Sequence, residues 1–185
     1  MLYTIDEKKL LLSIARESIQ YGLTYQMPLP IEVKKYAEKL QQDRATFVTL
    51  NVNHQLRGCI GSLQAYQPLV QDVSHNAYAA AFQDPRFYPV NIIEAPQLEI
   101  HISVLTPPEL MTFTSEEDLL LQMRPHLDGL ILSDQGRRST FLPAVWEQIP
   151  NKKDFLKHLK MKAGLPENYW SDTLQIERYE AEVIE

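Results

Sequence analysis

Apolar residues recur every three to four positions early in the chain, at Leu10, Leu11, Ile14, Ala15 and Ile19. That spacing is one face of an amphipathic helix. Thr4 and Glu7 just ahead of it fit a capping box, in which each satisfies a free backbone donor of the other. Gly22 is the expected stop. Pro28 and Pro30 hold the next stretch extended, because a residue before proline avoids the helical region. Val33, Tyr36, Ala37 and Leu40 then predict a second helix.

From residue 45 the period becomes two. Val48, Leu50 and Val52 fall on one face and Phe47, Thr49 and Asn51 on the other, which predicts a strand over 45–52. Asn53-His54 reads as a tight turn and 56–60 as the returning strand. Pro68 opens a helix whose buried stripe is Leu69, Val73, Asn76, Ala77 and Ala80. Its alanines predict close packing on a sheet, and Asp84-Pro85-Arg86-Phe87 ends it. The clearest alternation is 98–105, with Leu98, Ile100, Ile102 and Val104 opposed to Glu99, His101, Ser103 and Leu105. Ser115 opens a helix carrying Leu119, Leu120 and Met123, which Pro125 breaks. Residues 130–132 and 139–142 predict a hairpin around Ser133–Gly136. A short helix near Trp146, a helix over 154–163 capped by Gly164, and a strand near 174–183 complete the reading. Hairpin-linked strands with helices elsewhere predict an α+β fold, a mostly antiparallel sheet flanked by helices.

Composition narrows the class. The 185 residues are 44% hydrophobic and 23% charged, the balance of a globular chain rather than a disordered one. No basic segment followed by an apolar run opens the sequence, so a cytoplasmic location is expected, with no membrane span. The net charge of −6 argues against nucleic acid, which needs a basic footprint. Lys153, Lys157 and Lys160 share one helix face and read as solvated surface. The one cysteine, Cys59, excludes an intramolecular disulfide and any multi-cysteine metal cluster. The five histidines lack His-x-x-x-His spacing, so no metal site is expected.

Leu56-Arg57-Gly58-Cys59-Ile60-Gly61 resembles the signature of the AMMECR-type domain family, whose bacterial and archaeal members are called AmmeMemoRadiSam system protein A. The resemblance continues through Asn76-Ala77, Ala80-Ala81-Phe82, Asp84-Pro85-Arg86-Phe87 and Ile102-Ser103-Val104-Leu105-Thr106-Pro107. Asp128-Gly129-Leu130, Thr140-Phe141-Leu142-Pro143, Val145-Trp146 and Lys162-Ala163-Gly164-Leu165 extend it over almost the whole chain. Asp128 stands where the family has histidine, and Asn53-His54 fills a turn where it commonly has glycine. The resemblance implies a single AMMECR-type domain over 1–185, with a larger and a smaller lobe not separable in sequence and a cleft at the LRGCIG signature. It also implies a pathway shared with Memo-like and radical SAM proteins. The family's reaction is not settled, so the resemblance names no cofactor.

Within the signature, two glycines around a cysteine in a strand mark a bulge or a close approach by backbone or ligand. Cys59 is the candidate nucleophile, since an adjacent guanidinium favours the reactive thiolate. Arg57 equally suits a carboxylate or phosphate, and Gly58 and Gly61 would line the substrate. The competing reading makes Cys59 a small buried hydrophobe and the glycines the seat of a packed helix. His101 is the candidate base, because a Cys–His pair activates a thiol. Its strand face, shared with Glu99 and Ser103, equally reads as the solvated side of a sheet. Asp84 reads as a turn residue and Arg86 as a substrate clamp. Gly136–Thr140 lacks phosphate-loop spacing, and Thr140 is its candidate substrate contact. Two functions follow. The first is an enzyme or enzyme component acting on a small molecule or peptide around Arg57–Gly61. The alternative is a non-catalytic adaptor docking a Memo-like or radical SAM partner.

Overall fold

The computed structural model describes residues 2–185. In chain order its helices are α1 (Ile5–Tyr25), α2 (Glu38–Gln41), α3 (Leu69–Phe82), α4 (Glu116–Gln122) and α5 (Lys152–Lys162). Its strands are β1 (Thr46–Val52), β2 (Gln55–Gly61), β3 (Glu99–Leu105), β4 (Glu109–Leu110), β5 (Gly129–Asp134), β6 (Arg137–Phe141), β7 (Gln175–Tyr179) and β8 (Ala181–Ile184). The chain forms two compact units. The first runs to Leu105 and regains Glu182–Glu185; the second is Thr106–Ala181.

In the first unit the strands are ordered β2-β1-β3-β8. Asn53 and His54 take φ of 51° and 61°, the left-handed values that a two-residue hairpin turn requires. Val48, Leu50, Ile100, Ile102 and Val104 face a core shared with Leu11, Ile14 and Ile19 of α1 and Val70, Val73 and Ala77 of α3. The capping box at Thr4 and Glu7 is present. Gly22 does not stop α1, which continues to Tyr25 and is capped by Gln26 at φ 56°. Gly22 is there for space: a Cβ on it would lie 2.5 Å from the Phe82 ring and 2.7 Å from that of Tyr78. The expected second helix is reduced to a 3-10 turn over Val33–Lys35 and the single turn of α2. Leu40 is its one buried side chain, too little apolar surface to hold a longer helix.

Asp72 fastens α3 to the start of β1. Its buried carboxylate accepts from Thr46 N at 2.9 Å, Thr46 Oγ1 at 2.6 Å, Gln67 Nε2 at 2.8 Å and Asn76 Nδ2 at 2.9 Å. Burial pushes this carboxyl upward, and the donors offset part of that cost.

The second unit has its own sheet, ordered β4-β7-β5-β6. Trp146 and Phe155 stack at its centre with ring centroids 3.8 Å apart, and Trp146 Nε1 donates to Asp128 O at 2.7 Å. The predicted strand near 174–183 is two strands: β7 pairs with β4 and β5, whereas β8 closes the first unit's sheet. The expected α+β class with antiparallel pairing and flanking helices is present, its strands divided between two four-stranded sheets. Lys160 also departs from expectation. It is 1% exposed, because it shares the inward face of α5 with Leu156 and Leu159. Its ammonium donates to Glu116 at 2.6 Å and lies 5.7 Å from the Trp170 ring centroid.

Candidate functional site

The signature is strand β2, an edge of the first sheet. Its pairing with β1 starts in simple hairpin register, Val52 with Gln55 and Asn51 with Leu56. The register then shifts, so that Leu50 pairs with Gly58 and Thr49 with Cys59. Arg57 is the extra residue of this bulge, a device that re-aims a side chain. Gly58 now faces α3, where a Cβ would stand 2.2 Å from the Ala80 carbonyl oxygen. Gly61 is similarly confined, with Thr46 O at 2.3 Å and Phe47 Cγ at 2.4 Å.

Cys59 turns to the sheet face that the helices do not cover, and it is half-buried. Thr49 Oγ1 donates to its sulfur at 3.2 Å. Thr49 also pairs with His101 on its other side, so Cys59, Thr49 and His101 form a row across three strands. Strand spacing puts the Cys59 and His101 backbones about 10 Å apart, with Thr49 between them. His101 Nδ1 instead meets Glu185 Oε2 at 3.1 Å. The structure thus places nucleophile and base candidates on one face without direct contact.

The backbone of Cys59 is held by the loop after α3. Asp84 Oδ2 accepts from Cys59 N at 2.8 Å, and Arg86 Nη2 donates to Cys59 O at 3.2 Å. Arg86 also bonds Asp84 twice, Nε to Oδ1 at 3.0 Å and Nη2 to Oδ2 at 2.7 Å. This charge-assisted fork, with the amides of Cys59 and Arg86, holds the Asp84 carboxyl well below the usual carboxylate range. The same bond to Asp84 pushes the Arg86 guanidinium upward. The pair occupies backbone groups that an edge strand would otherwise expose. Arg57 is likewise engaged: its Nε and Nη2 bind Glu94 at 2.5 and 3.0 Å, and Nη2 also donates to Tyr88 O at 2.8 Å. Both guanidinium groups lie over the Phe87 ring, 5.8 Å from its centroid for Arg57 and 5.5 Å for Arg86.

Arg57, Gly58, Cys59, Gly61 and Arg86 are therefore assembled in one place, and His101 lies two strands away. Thr140 belongs to the second unit, where it donates to Leu130 O at 2.9 Å and meets Tyr179 Oη at 2.9 Å. Burial raises that tyrosine to about 12. Among the described residues no group of three histidine, cysteine, aspartate or glutamate side chains is placed to hold a metal ion. Among the described residues no helix is long and apolar enough to cross a membrane.

A family model described as AMMECR1 matches residues 12–184. The chain belongs to the AMMECR1 family. It is 33% identical to Protein MJ0810 of Methanocaldococcus jannaschii over 192 aligned positions, covering all of this chain and 92% of that protein. It is 34% identical to Protein MK0488 of Methanopyrus kandleri, covering 98% of this chain and 89% of the relative. Among solved structures it resembles uncharacterized protein PH0010 from Pyrococcus horikoshii, with a TM-score of 0.88 and 31% identity. That likeness covers 99% of this chain and 93% of the other. PH0010 shares the fold, and none of the three brings a named reaction.

Three participants in the site were not singled out from sequence: Thr49, Glu94 and Phe87 in its contact with two arginines. Thr49 had a usable signal, since it lies on the strand that the Asn53-His54 turn folds back against the signature. Glu94 had none, because it meets Arg57 across 37 residues of chain.

Proposed function

We propose that this AMMECR1 protein is an enzyme or enzyme component that takes a small molecule or peptide at Arg57–Gly61, with Cys59 as the reacting group. The observation that carries this reading is the Thr49 hydroxyl directed at the Cys59 sulfur on the sheet face left free by the core. The Thr49 hydroxyl fixes the position of the sulfur, and Asp84 and Arg86 hold the Cys59 backbone beneath it through its amide and its carbonyl. A substrate would reach Cys59 from that face, with His101, oriented by Glu185, as acid or base across Thr49. Gly58 and Gly61 would keep the strand close to its neighbours. Memo-like and radical SAM proteins are the proposed pathway partners.

The test is the rate of iodoacetamide alkylation of Cys59 at pH 7. The folded protein should react about tenfold faster than the same chain in urea. A folded thiol that reacts no faster than the unfolded one overturns the reading.

The adaptor reading has its own support. Arg57 and Arg86 are bound to Glu94 and Asp84, and the same loop exposes Tyr88, Ile92 and Ile93. It predicts that Cys59→Ala keeps pathway function and that a Memo-like or radical SAM protein co-purifies. Loss of pathway function in a folded Cys59→Ala protein would exclude it.

A further inference from the structure

The first unit carries a concavity of about 300 Å³ whose lining includes none of Arg57–Gly61. Arg16, Ile19 and Leu23 of α1 form one wall, and Ile92, Leu98 and Ile100 lie opposite or beneath. Ile19, Leu98 and Ile100 are buried, so the floor is apolar and fixed by the core. A concave, mostly apolar site with a few polar groups is the ordinary form of a small-molecule pocket, and this volume is at its lower end.

Arg16 sets the chemistry. It is the one charged residue of the lining, and among the described residues it has neither an ion-pair nor a hydrogen-bond partner. It sits three positions before Ile19 on α1, so the guanidinium stands about one helical turn from the apolar floor. An unpaired cation above an apolar floor selects a ligand with one anionic head and an apolar body. A neutral molecule would leave the guanidinium unused, and a multiply charged anion would set charge on Ile19 and Leu98. We propose that this pocket binds a small amphipathic monocarboxylate, its chain on Ile19, Leu98 and Ile100 and its carboxylate on Arg16. This site is independent of Cys59.

Decanoate is the probe, titrated calorimetrically into the full chain. Saturable one-to-one binding is expected, with a dissociation constant of about 1 mM or tighter, as a ligand of about a dozen non-hydrogen atoms allows. Arg16→Gln, at an exposed helix position, should weaken binding roughly tenfold. Gln20→Phe, at an exposed position on the lining, should fill the pocket and abolish binding. Circular dichroism of both variants checks that α1 is intact. Decanol should bind more weakly than decanoate. The proposal is overturned if wild-type protein shows no saturable binding. It is equally overturned if both variants bind as wild type does, or if decanol binds as tightly as the acid.

Discussion

The amide of Cys59 donates to the carboxylate of Asp84 at 2.8 Å, so the signature strand is closed at its edge by a side chain instead of another strand. The Asp84 carboxylate is buried and also forked onto Arg86. Its folded-state value lies well below the ordinary 3.8, mainly through Arg86. A depressed carboxyl contributes stability above its unfolded value and loses it as pH falls toward the folded one. That contribution should be complete above about pH 5 and decline below about pH 4. Asp84→Asn should lower stability at pH 7 by about 2–4 kcal/mol and flatten the acid dependence. Urea unfolding at pH 3, 5 and 7 checks this. Equal pH slopes in the two proteins would refute the assignment.

Gly58→Ala should be among the costliest single-methyl changes in the chain. Its Cβ would meet backbone of α3, the Ala80 carbonyl, at 2.2 Å, and neither partner is a flexible side-chain end. The strand or the helix must shift, at a cost of about 3 kcal/mol. Gly136→Ala is the contrast: nothing lies within 4 Å of its Cβ, and its penalty comes from φ of +78° alone. Thermal melts of the two variants should separate crowding from backbone strain. A Gly58→Ala protein as stable as wild type would remove the close approach from the account.

Arg57 and Glu94 are mostly buried, with side chains 16% and 23% exposed. Arg57 Nη1 is buried without a partner. Removing Glu94 leaves the guanidinium without its carboxylate and with Tyr88 O as its remaining hydrogen-bond partner, whereas removing Arg57 also removes that orphan. Glu94→Ala should therefore cost about 2–4 kcal/mol, and Arg57→Met clearly less. A double-mutant cycle should give a coupling of about 1–3 kcal/mol. Additive single effects would show that the pair is not coupled.

Lys160 is buried while its partner Glu116 is 44% exposed. Glu116 can return to water, so the cost of the pair falls on the lysine. Lys160→Met keeps the stem that packs near Trp170 and removes the charge, so it should be neutral or stabilising by about 1 kcal/mol. Lys160→Ala should lose about 2–3 kcal/mol through the space left behind. Chemical denaturation of both variants decides. A strongly destabilised methionine variant would show that the ion pair itself stabilises the unit.

Local pattern accounted for most single elements. The capping box at Thr4 and Glu7, the alternation of 98–105 and the Ser115 N-cap each depend on neighbours within a few residues. The exceptions share one cause. Gly22 has the local pattern of a stop, but its position inside α1 depends on Tyr78 and Phe82, far along the chain. The break between β7 and β8 depends on which sheet each half joins, and nothing in 174–183 records that. Lys160 looked like surface because charge predicts exposure only where no neighbouring element covers it.

The signature strand shows where local reading ends. Residue order alone established a hairpin through Asn53-His54 and the presence of Arg57, Gly58 and Cys59 on its return. Uninterrupted, the Val52–Gln55 register would continue to Thr49 opposite Gly58 and Val48 opposite Cys59, turning the sulfur toward the helix-packed core. The bulge at Arg57 moves the pairing by one, so Cys59 meets Thr49 on the free face and Gly58 meets α3. The reason is steric and lies outside the strand. Ala80 comes so close that a glycine fits there and a cysteine or arginine does not, and this contact between residues 22 positions apart selects the face on which the thiol stands.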